Sequence, residues 1–352
     1  MTADAIGGVW PYTLDLGRGL RRHGVDVHVA VMGPSPSDRQ RRDAAAAGLV
    51  LHDVPARLEW MDDPWAEVDQ AGDTLLALER EIDPALVHLN GYVHAALPWR
   101  VPVLVVAHSC VCSWWRAVQG DPAPPRFDEY RARVSRGVRA AAAIIAPSIA
   151  MLGALEDEYG PVASTLVIPN GSSFEPVRDR PREPIIFAAG RLWDEGKNVA
   201  ALCAAAPHLP WPVFVAGATR DPQGRSAVAP GVRHLGSLSA DDMRGCYARA
   251  SIYALPARYE PFGLSVLEAA RSGCALVLGD IRSLRENWDG AAVFVPPDNR
   301  RALAGALQEL IGDEPRRLRL AAAAEARAAR FTVGRMVSAY LETYSRMGVA
   351  VA

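Results

Sequence analysis

Short, continuous apolar runs separated by helical stretches restrict this chain more than any other feature. Runs at 25–32, 86–89, 101–107, 143–146 and 165–168 read as buried strands. Runs at 185–189, 213–216, 232–235, 251–255, 276–279 and 293–295 repeat the pattern. Helical apolar spacing fills the gaps, at 12–23, 69–82, 129–141, 149–159, 241–250, 263–272 and 301–311. Strands that are apolar on both sides belong to parallel sheets with helices on each face, and two such series predict two doubly wound domains. A length of 352 residues agrees, since single cores stop growing at about 250–300 residues. The polar, proline-bearing stretch 176–184 breaks the pattern and marks the boundary, giving domains at 1–175 and 176–330. The last segment, 331–352, follows an alanine-rich helix at 316–330, is helical again, and is expected to return to the N-terminal domain.

Composition narrows the function classes. Half of the residues are hydrophobic and 22% are charged, enough apolar material for a packed core in each half and too much for disorder. A formal net charge of -2 gives no pull toward nucleic acid. Five scattered cysteines, an odd number with one residue between the nearest pair (Cys110 and Cys112), read as reduced thiols in a cytoplasmic protein. No basic segment precedes an apolar one at the start, and no apolar run approaches the ~18 residues of a membrane span. Only six residues precede Gly7-Gly8, so either the first strand is short or natural residues precede Met1.

The densest signal is Glu260-Pro-Phe-Gly-Leu-Ser-Val-Leu-Glu268. Pro261 disfavours helix at Glu260, Gly263 permits close backbone approach, and a helix follows whose free N–H groups suit a diphosphate. Glu260 and Glu268 would flank that diphosphate as acceptors for hydroxyls. Spacing alone leaves a second reading open, a surface glutamate before a turn and another on a helix flank. After the run at 185–189 comes Gly190-Arg191-Leu-Trp-Asp-Glu-Gly-Lys197-Asn198, an Arg and a Lys at the strand end where open α/β sheets bind ligands. A forked guanidinium and an ammonium complement a diphosphate leaving group; a solvated basic pair is the other reading. His108 and Asn90 also stand just past apolar runs.

Taken together these motifs resemble glycosyltransferase family 4, the retaining group with sucrose and glycogen synthase relatives. The likeness extends to Gly7-Gly8-Val9, Ala146-Pro-Ser148, Ile168-Pro-Asn170-Gly171 and Gly279-Asp-Ile…Arg285-Glu286…Asp289-Gly290…Val295-Pro-Pro-Asp298, so it spans essentially the whole chain. The resemblance implies a GT-B fold, two Rossmann-like domains facing across a cleft, and transfer of a hexose from a nucleotide diphosphate sugar. It assigns Arg191 and Lys197 to the diphosphate, Glu268 to the ribose and Glu260 to the transferred sugar. Backbone amides of Phe262, Gly263, Leu264 and Ser265 would close over phosphate and sugar. Gly7 and Gly8 would admit the distal phosphate and the acceptor, Glu286 would lie near the donor, and His108 would contact the donor hexose.

No Asp-x-Asp occurs, so the metal-chelating device of GT-A enzymes is absent, and Arg191, Lys197 and a helix N-terminus stand in its place. No metal and no cofactor besides the donor is expected. No carboxylate is placed for a double displacement, and a front-face substitution fits the family better. Three other classes were weighed. A nicotinamide dehydrogenase lacks its Gly-x-Gly-x-x-Gly; a sugar-nucleotide epimerase shares the architecture but not the two spaced glutamates; a catalytically silent nucleotide-sugar-binding protein would keep the motifs without transfer. The acceptor is not legible. Ser113-Trp114-Trp115-Arg116 and the arginines at 131, 133, 136 and 139 leave peripheral contact with a membrane and a lipid-linked acceptor open, against a plain solvated face.

Overall fold

A computed structural model describes residues 1–178, 180–221, 224 and 231–350. The chain divides into two compact units, Met1–Ser173 with Thr332–Ala352, and Phe174–Phe331. Asp179, inside the stretch taken as the boundary, and residues 351–352 lie outside the described residues. The first crossing falls after Ser173, two residues before the sequence-based boundary. At the second, Phe331 stays with the second unit, its ring packed against Phe262 and Trp288.

In the first unit, β1 (Thr2–Asp4), β2 (His28–Met32) and β3 (Val50–Val54) form one parallel sheet. A second joins β4 (Val87–Leu89), β5 (Val103–Val106), β6 (Ala143–Ala146) and β7 (Thr165–Val167), again all parallel. Helices α1 (Val9–Arg21), α2 (Asp38–Ala46), α3 (Trp65–Ile82), α4 (Val111–Gln119), α5 (Asp128–Ala140) and α6 (Ile149–Tyr159) intervene. Every residue of β5 and β6 is buried, as their unbroken apolar runs demand. Of the strands outside the apolar runs, β1 answers the expected short strand ahead of Gly7, while β3 was not anticipated, each for a physical reason. β1 is three residues long, and β3 is an edge strand carrying His52 and Asp53 with only Val54 buried. Asn90 ties the two sheets: its backbone N–H donates to Thr2 Oγ1 at 2.9 Å and its side-chain amide to the Thr2 carbonyl at 2.7 Å.

The second unit is a single six-stranded sheet. It comprises β8 (Glu183–Ala189), β9 (Val213–Ala216), β10 (Arg233–His234), β11 (Ala250–Leu255), β12 (Ala275–Gly279) and β13 (Ala292–Val295). Their spatial order is β10-β9-β8-β11-β12-β13, all parallel. Helices α7 (Val199–Ala205), α8 (Ala240–Arg249), α9 (Leu264–Arg271), α10 (Arg282–Trp288), α11 (Arg300–Gly312) and α12 (Glu314–Ala328) connect and cover it. Apolar cores lie on both faces, one around Phe187, Tyr253 and Trp288 and the other around Ile186, Val215 and Leu307. From β8 the chain winds outward one way through β9 and β10; from β11 it winds the other way through β12 and β13. The order reverses between β8 and β11, and the carboxyl ends of two such strands frame the crevice where open sheets bind ligands.

The final helix, α13 (Val333–Arg346), belongs to the first unit and packs along α1. Its polar anchor is wholly buried. Tyr12 donates to the Tyr340 hydroxyl at 2.7 Å, and the Tyr344 hydroxyl lies 2.8 Å from His88 Nδ1. With Tyr12 so engaged, the longer 3.4 Å contact makes His88 Nε2 the donor to Tyr12, leaving Nδ1 to accept from Tyr344. Burial holds the His88 imidazole well below its ordinary pKa, so the ring is neutral. Among the described residues no helix is long and apolar enough to cross a membrane. Replacing Tyr344 by Phe strands a buried imidazole nitrogen without a donor. Chemical denaturation of Tyr344→Phe should therefore find a loss of about 1–3 kcal/mol; an unchanged midpoint would remove His88 from the anchor.

Candidate active site

At the reversal between β8 and β11 the two strand-end loops are laced together. The loop after β8 opens at Gly190 and turns on Asp194, which is 6% exposed. One carboxylate oxygen of Asp194 accepts the Gly196 N–H at 2.9 Å; the other accepts from the Arg191 guanidinium at 2.8 Å. Arg191 also lies over the Trp193 ring, 5.3 Å from its centroid, and remains 40% exposed. Further along, the Gly196 carbonyl accepts from the backbone N–H groups of Arg258 at 2.8 Å and Tyr259 at 3.2 Å, both on the loop after β11. Lys197 then extends across that seam, its Nζ 2.5 Å from Glu260 Oε2, with the two side chains 14% and 11% exposed.

Asn198 closes the loop. Its backbone is left-handed, φ 54° and ψ 37°, a conformation that Asn tolerates better than most residues. Its amide, 3% exposed, donates to the carbonyls of Pro256 at 2.9 Å and Pro297 at 2.8 Å. One side chain thereby fixes the ends of β8, β11 and β13 against one another.

Glu260 leads into Gly263, whose φ of 91° favours glycine, and α9 begins at the next residue. Helix α10 grips this turn from outside: Ser283 Oγ donates to the Glu260 carbonyl at 2.5 Å and the Asn287 amide to the Phe262 carbonyl at 3.3 Å. Beneath it the buried Tyr253 hydroxyl donates to the Ala189 carbonyl at 3.1 Å and accepts from Ser265 Oγ at 2.8 Å, joining β8, β11 and α9. The first N–H groups of α9 have no partner within the helix and face the loops. Glu268 is half-buried on α9 close to Tyr247, whose hydroxyl is pushed well above its usual pKa by burial and by the charge of Glu268. Glu286 is exposed on α10.

In the first unit, Gly7 takes a φ of 82°, whereas Gly8 caps α1 at φ -74°, which any residue adopts. His108 lies two residues beyond β5. Its Nε2 is 2.9 Å from Asn90 Oδ1, and its ring meets the Tyr12 ring edge-on with centroids 4.5 Å apart.

The structure thus brings Arg191, Lys197, Glu260, Phe262, Gly263, Leu264, Ser265 and Glu268 to one sheet edge. It changes one relation: Lys197 and Glu260, assigned to different parts of a donor, are partners of each other. Asp194, Asn198, Tyr253 and Ser283 received no role from sequence. For Asn198 a signal existed, an Asn closing the short helical turn Glu195–Lys197, a C-terminal position where a left-handed residue is common. Tyr253 and Ser283 carry none, because their hydrogen bonds depend on strand order. The arginines of α5 are largely spoken for: Arg133 pairs with Asp69 and Glu129 and covers the Trp65 ring, and Arg131 pairs with Asp128, while Arg136 and Arg139 stay exposed.

Comparison with known proteins agrees with this geometry. A family model described as "Glycosyltransferase Family 4" matches residues 6–174, and one described as "Glycosyl transferases group 1" matches residues 183–313. The chain is 27% identical to a D-inositol 3-phosphate glycosyltransferase of Xylanimonas cellulosilytica, across 98% of this chain and 93% of the relative. It is also 27% identical to a glycogen synthase of Mycobacterium tuberculosis, across 92% and 86%. The fold is shared with sucrose-phosphate synthase of Thermosynechococcus elongatus, at a TM-score of 0.80 and 19% identity over 99% and 95% of the two chains. Anabaena HepE, solved with UDP-glucose, matches at 0.76 and 17% over 98% and 100%.

The Lys197–Glu260 contact can be measured without substrate. Lys197→Met leaves a mostly buried carboxylate unpaired and should cost on the order of 2–4 kcal/mol. Adding Glu260→Gln should return part of that loss, a coupling above about 1 kcal/mol in a double-mutant cycle of denaturation midpoints. Strictly additive losses would mean the pair does not form in solution.

Proposed function

The chain is a glycosyltransferase of family 4 with the GT-B fold, and from that premise we propose that it moves a hexose from a nucleotide diphosphate sugar to a hydroxyl-bearing acceptor, with retention and without a metal. The observation that carries the reading is the Lys197–Glu260 pair at the sheet reversal, beside the N-terminus of α9 and next to Arg191. A departing nucleoside diphosphate gains negative charge as the sugar–oxygen bond breaks. Arg191, Lys197 and the first amides of α9 supply fixed positive potential there, the stabilisation a metal gives in other transferases. Lys197 is delivered by a loop that Asn198 and Asp194 hold rigid, so little reorganisation is needed when the charge develops.

Glu260 anchors Lys197 in the free chain and can accept hydroxyls of the transferred sugar once the ammonium turns to phosphate. Glu268 is read as the ribose acceptor and Glu286 as a peripheral donor contact. No side chain of the second unit's site is assigned as a covalent nucleophile. A front-face substitution is favoured, in which the leaving phosphate oxygen takes the acceptor proton as the acceptor attacks from the same side. The names of the relatives point to different acceptors, an inositol phosphate and glycogen, and so supply a panel to test. Cytoplasmic location is part of the proposal and accords with five free cysteines. Peripheral membrane contact is a secondary reading: Arg131 and Arg133 pair with carboxylates, whereas Arg136 and Arg139 stay exposed.

Thermal shift against a set of nucleotide sugars identifies the donor, since a ligand at 100 times its Kd stabilises by about 2.7 kcal/mol. With that donor saturating, Arg191→Ala and Lys197→Ala should each raise the barrier by about 2–4 kcal/mol. EDTA should leave the parent chain active. Near-parental kcat in both variants, with melting curves confirming the fold, would overturn the leaving-group assignment.

The two glutamates should separate by calorimetry of the free nucleoside diphosphate. Glu268→Gln weakens its binding, by about 1–3 kcal/mol for a lost hydroxyl contact, whereas Glu260→Gln leaves it nearly unchanged while transfer falls. Equal weakening in both would refute the division of roles.

A further inference from the structure

His108 is half-buried at the end of β5, and among the described residues the side chain that hydrogen-bonds its ring is Asn90, at the end of β4. The Asn90 amide cannot be turned either way. Its nitrogen donates to the Thr2 carbonyl at 2.7 Å, a group that only accepts, so the oxygen is the atom 2.9 Å from His108 Nε2. A carbonyl oxygen has no proton to give, so Nε2 must carry one. The Asn90 backbone N–H, held at 2.9 Å by Thr2 Oγ1, keeps the residue from rotating away. The ionisable groups facing the ring are Tyr12 and His88. Burial raises the pKa of the first and lowers that of the second, so both are neutral and neither supplies a counter-charge for an imidazolium.

We infer that Asn90 is a positioning residue, fixing His108 as the neutral Nε2–H tautomer so that Nδ1 is presented as a hydrogen-bond acceptor for a substrate hydroxyl. The inference rests on the transferase reading for its substrate, but the tautomer does not. In this state His108 gives no proton to phosphate. It recognises an O–H donor, and a hexose offers several such groups. Burial alone already pushes the imidazole down to about 3, so the acceptor persists at any pH at which the enzyme would work. Among the described residues Nδ1 makes no hydrogen bond of its own, which leaves its lone pair available.

The test is 15N-detected NMR of the histidine ring nitrogens in the full chain, with His108→Gln identifying the resonance. The expected result is a single Nε2–H tautomer that does not titrate between pH 5 and pH 9, both of them about two units or more above the folded pKa. An Nδ1–H tautomer, or a titration near the ordinary histidine value, would overturn the inference whatever the enzyme does. Asn90→Ala should mix the tautomers and lower kcat by about tenfold, the worth of one hydrogen bond. Asn90→Asp should keep the proton on Nε2 but raise the histidine pKa, adding an acid limb to the pH–rate profile that the parent lacks. If Asn90→Ala mixes the tautomers yet transfers at the parental rate, the positioning role fails. If the parent transfers from no nucleotide sugar, the transferase reading fails while the ring spectrum still decides the tautomer.

Discussion

The adjacency of β8 and β11 is the constraint from which the second unit's chemistry follows. Two parallel strands whose continuations wind in opposite directions leave their carboxyl-end loops uncovered by any crossover helix between them. Main-chain hydrogen bonds from Arg258 and Tyr259 to Gly196 stitch those loops, and the Tyr253 hydroxyl pins them to α9 from below. Register decides the rest. β11 meets β8 with Tyr253 opposite Phe187, which sets how far each strand runs before its loop departs. Shifting either strand by one residue would exchange the side chains that fill the cores on its two faces and would separate Lys197 from Glu260.

Placing an ammonium and a carboxylate at 14% and 11% exposure is costly unless each satisfies the other, because desolvation of a lone buried ion exceeds what nearby dipoles return. The pair therefore serves the empty state. It also explains why so much neutral hydrogen bonding converges nearby. Asn198 and Asp194 satisfy four backbone and side-chain groups without adding net charge beyond what Arg191 balances. A ligand that takes over Lys197 must leave Glu260 another partner, and sugar hydroxyls are suitable replacements. On the proposed reading, the two contacts read separately from sequence become one exchange.

Legibility followed the range of the interactions. Buried parallel strands such as β5, β6, β8 and β11 were plain in the sequence because their buried stretches are almost continuously apolar, a requirement that is local. The short β1 and the edge strand β3 were not, since nothing in three residues or in a half-exposed strand forces an apolar pattern. The motif around Glu260 was legible as a turn entering a helix, because Pro261 and Gly263 act on their own backbone. That Glu260 touches Lys197, or that Asn198 reaches Pro297, depends on strand order, which residues 63 and 99 positions apart do not encode locally. Asn90 and His108 were both noticed as strand-end polar residues, yet their contact needs β4 and β5 to pair side by side.

The two units solve the problem of polar groups at strand ends in opposite ways. The second gathers charges, Arg191, Lys197, Glu260 and Glu268, around a helix N-terminus. Around His108 the first unit gathers neutral groups, Asn90, His88 and the hydroxyls of Tyr12, Tyr340 and Tyr344, in a region where burial suppresses ionisation. A neutral network has no field to draw an anion, while a helix N-terminus with two cations does. On the proposed reading, the diphosphate is therefore sorted to the second unit by electrostatics, and what remains for the first unit is uncharged hydroxyl recognition. On that reading a histidine held as an acceptor suits the task better than a protonated one, because an imidazolium would compete for the phosphate assigned to Arg191 and Lys197.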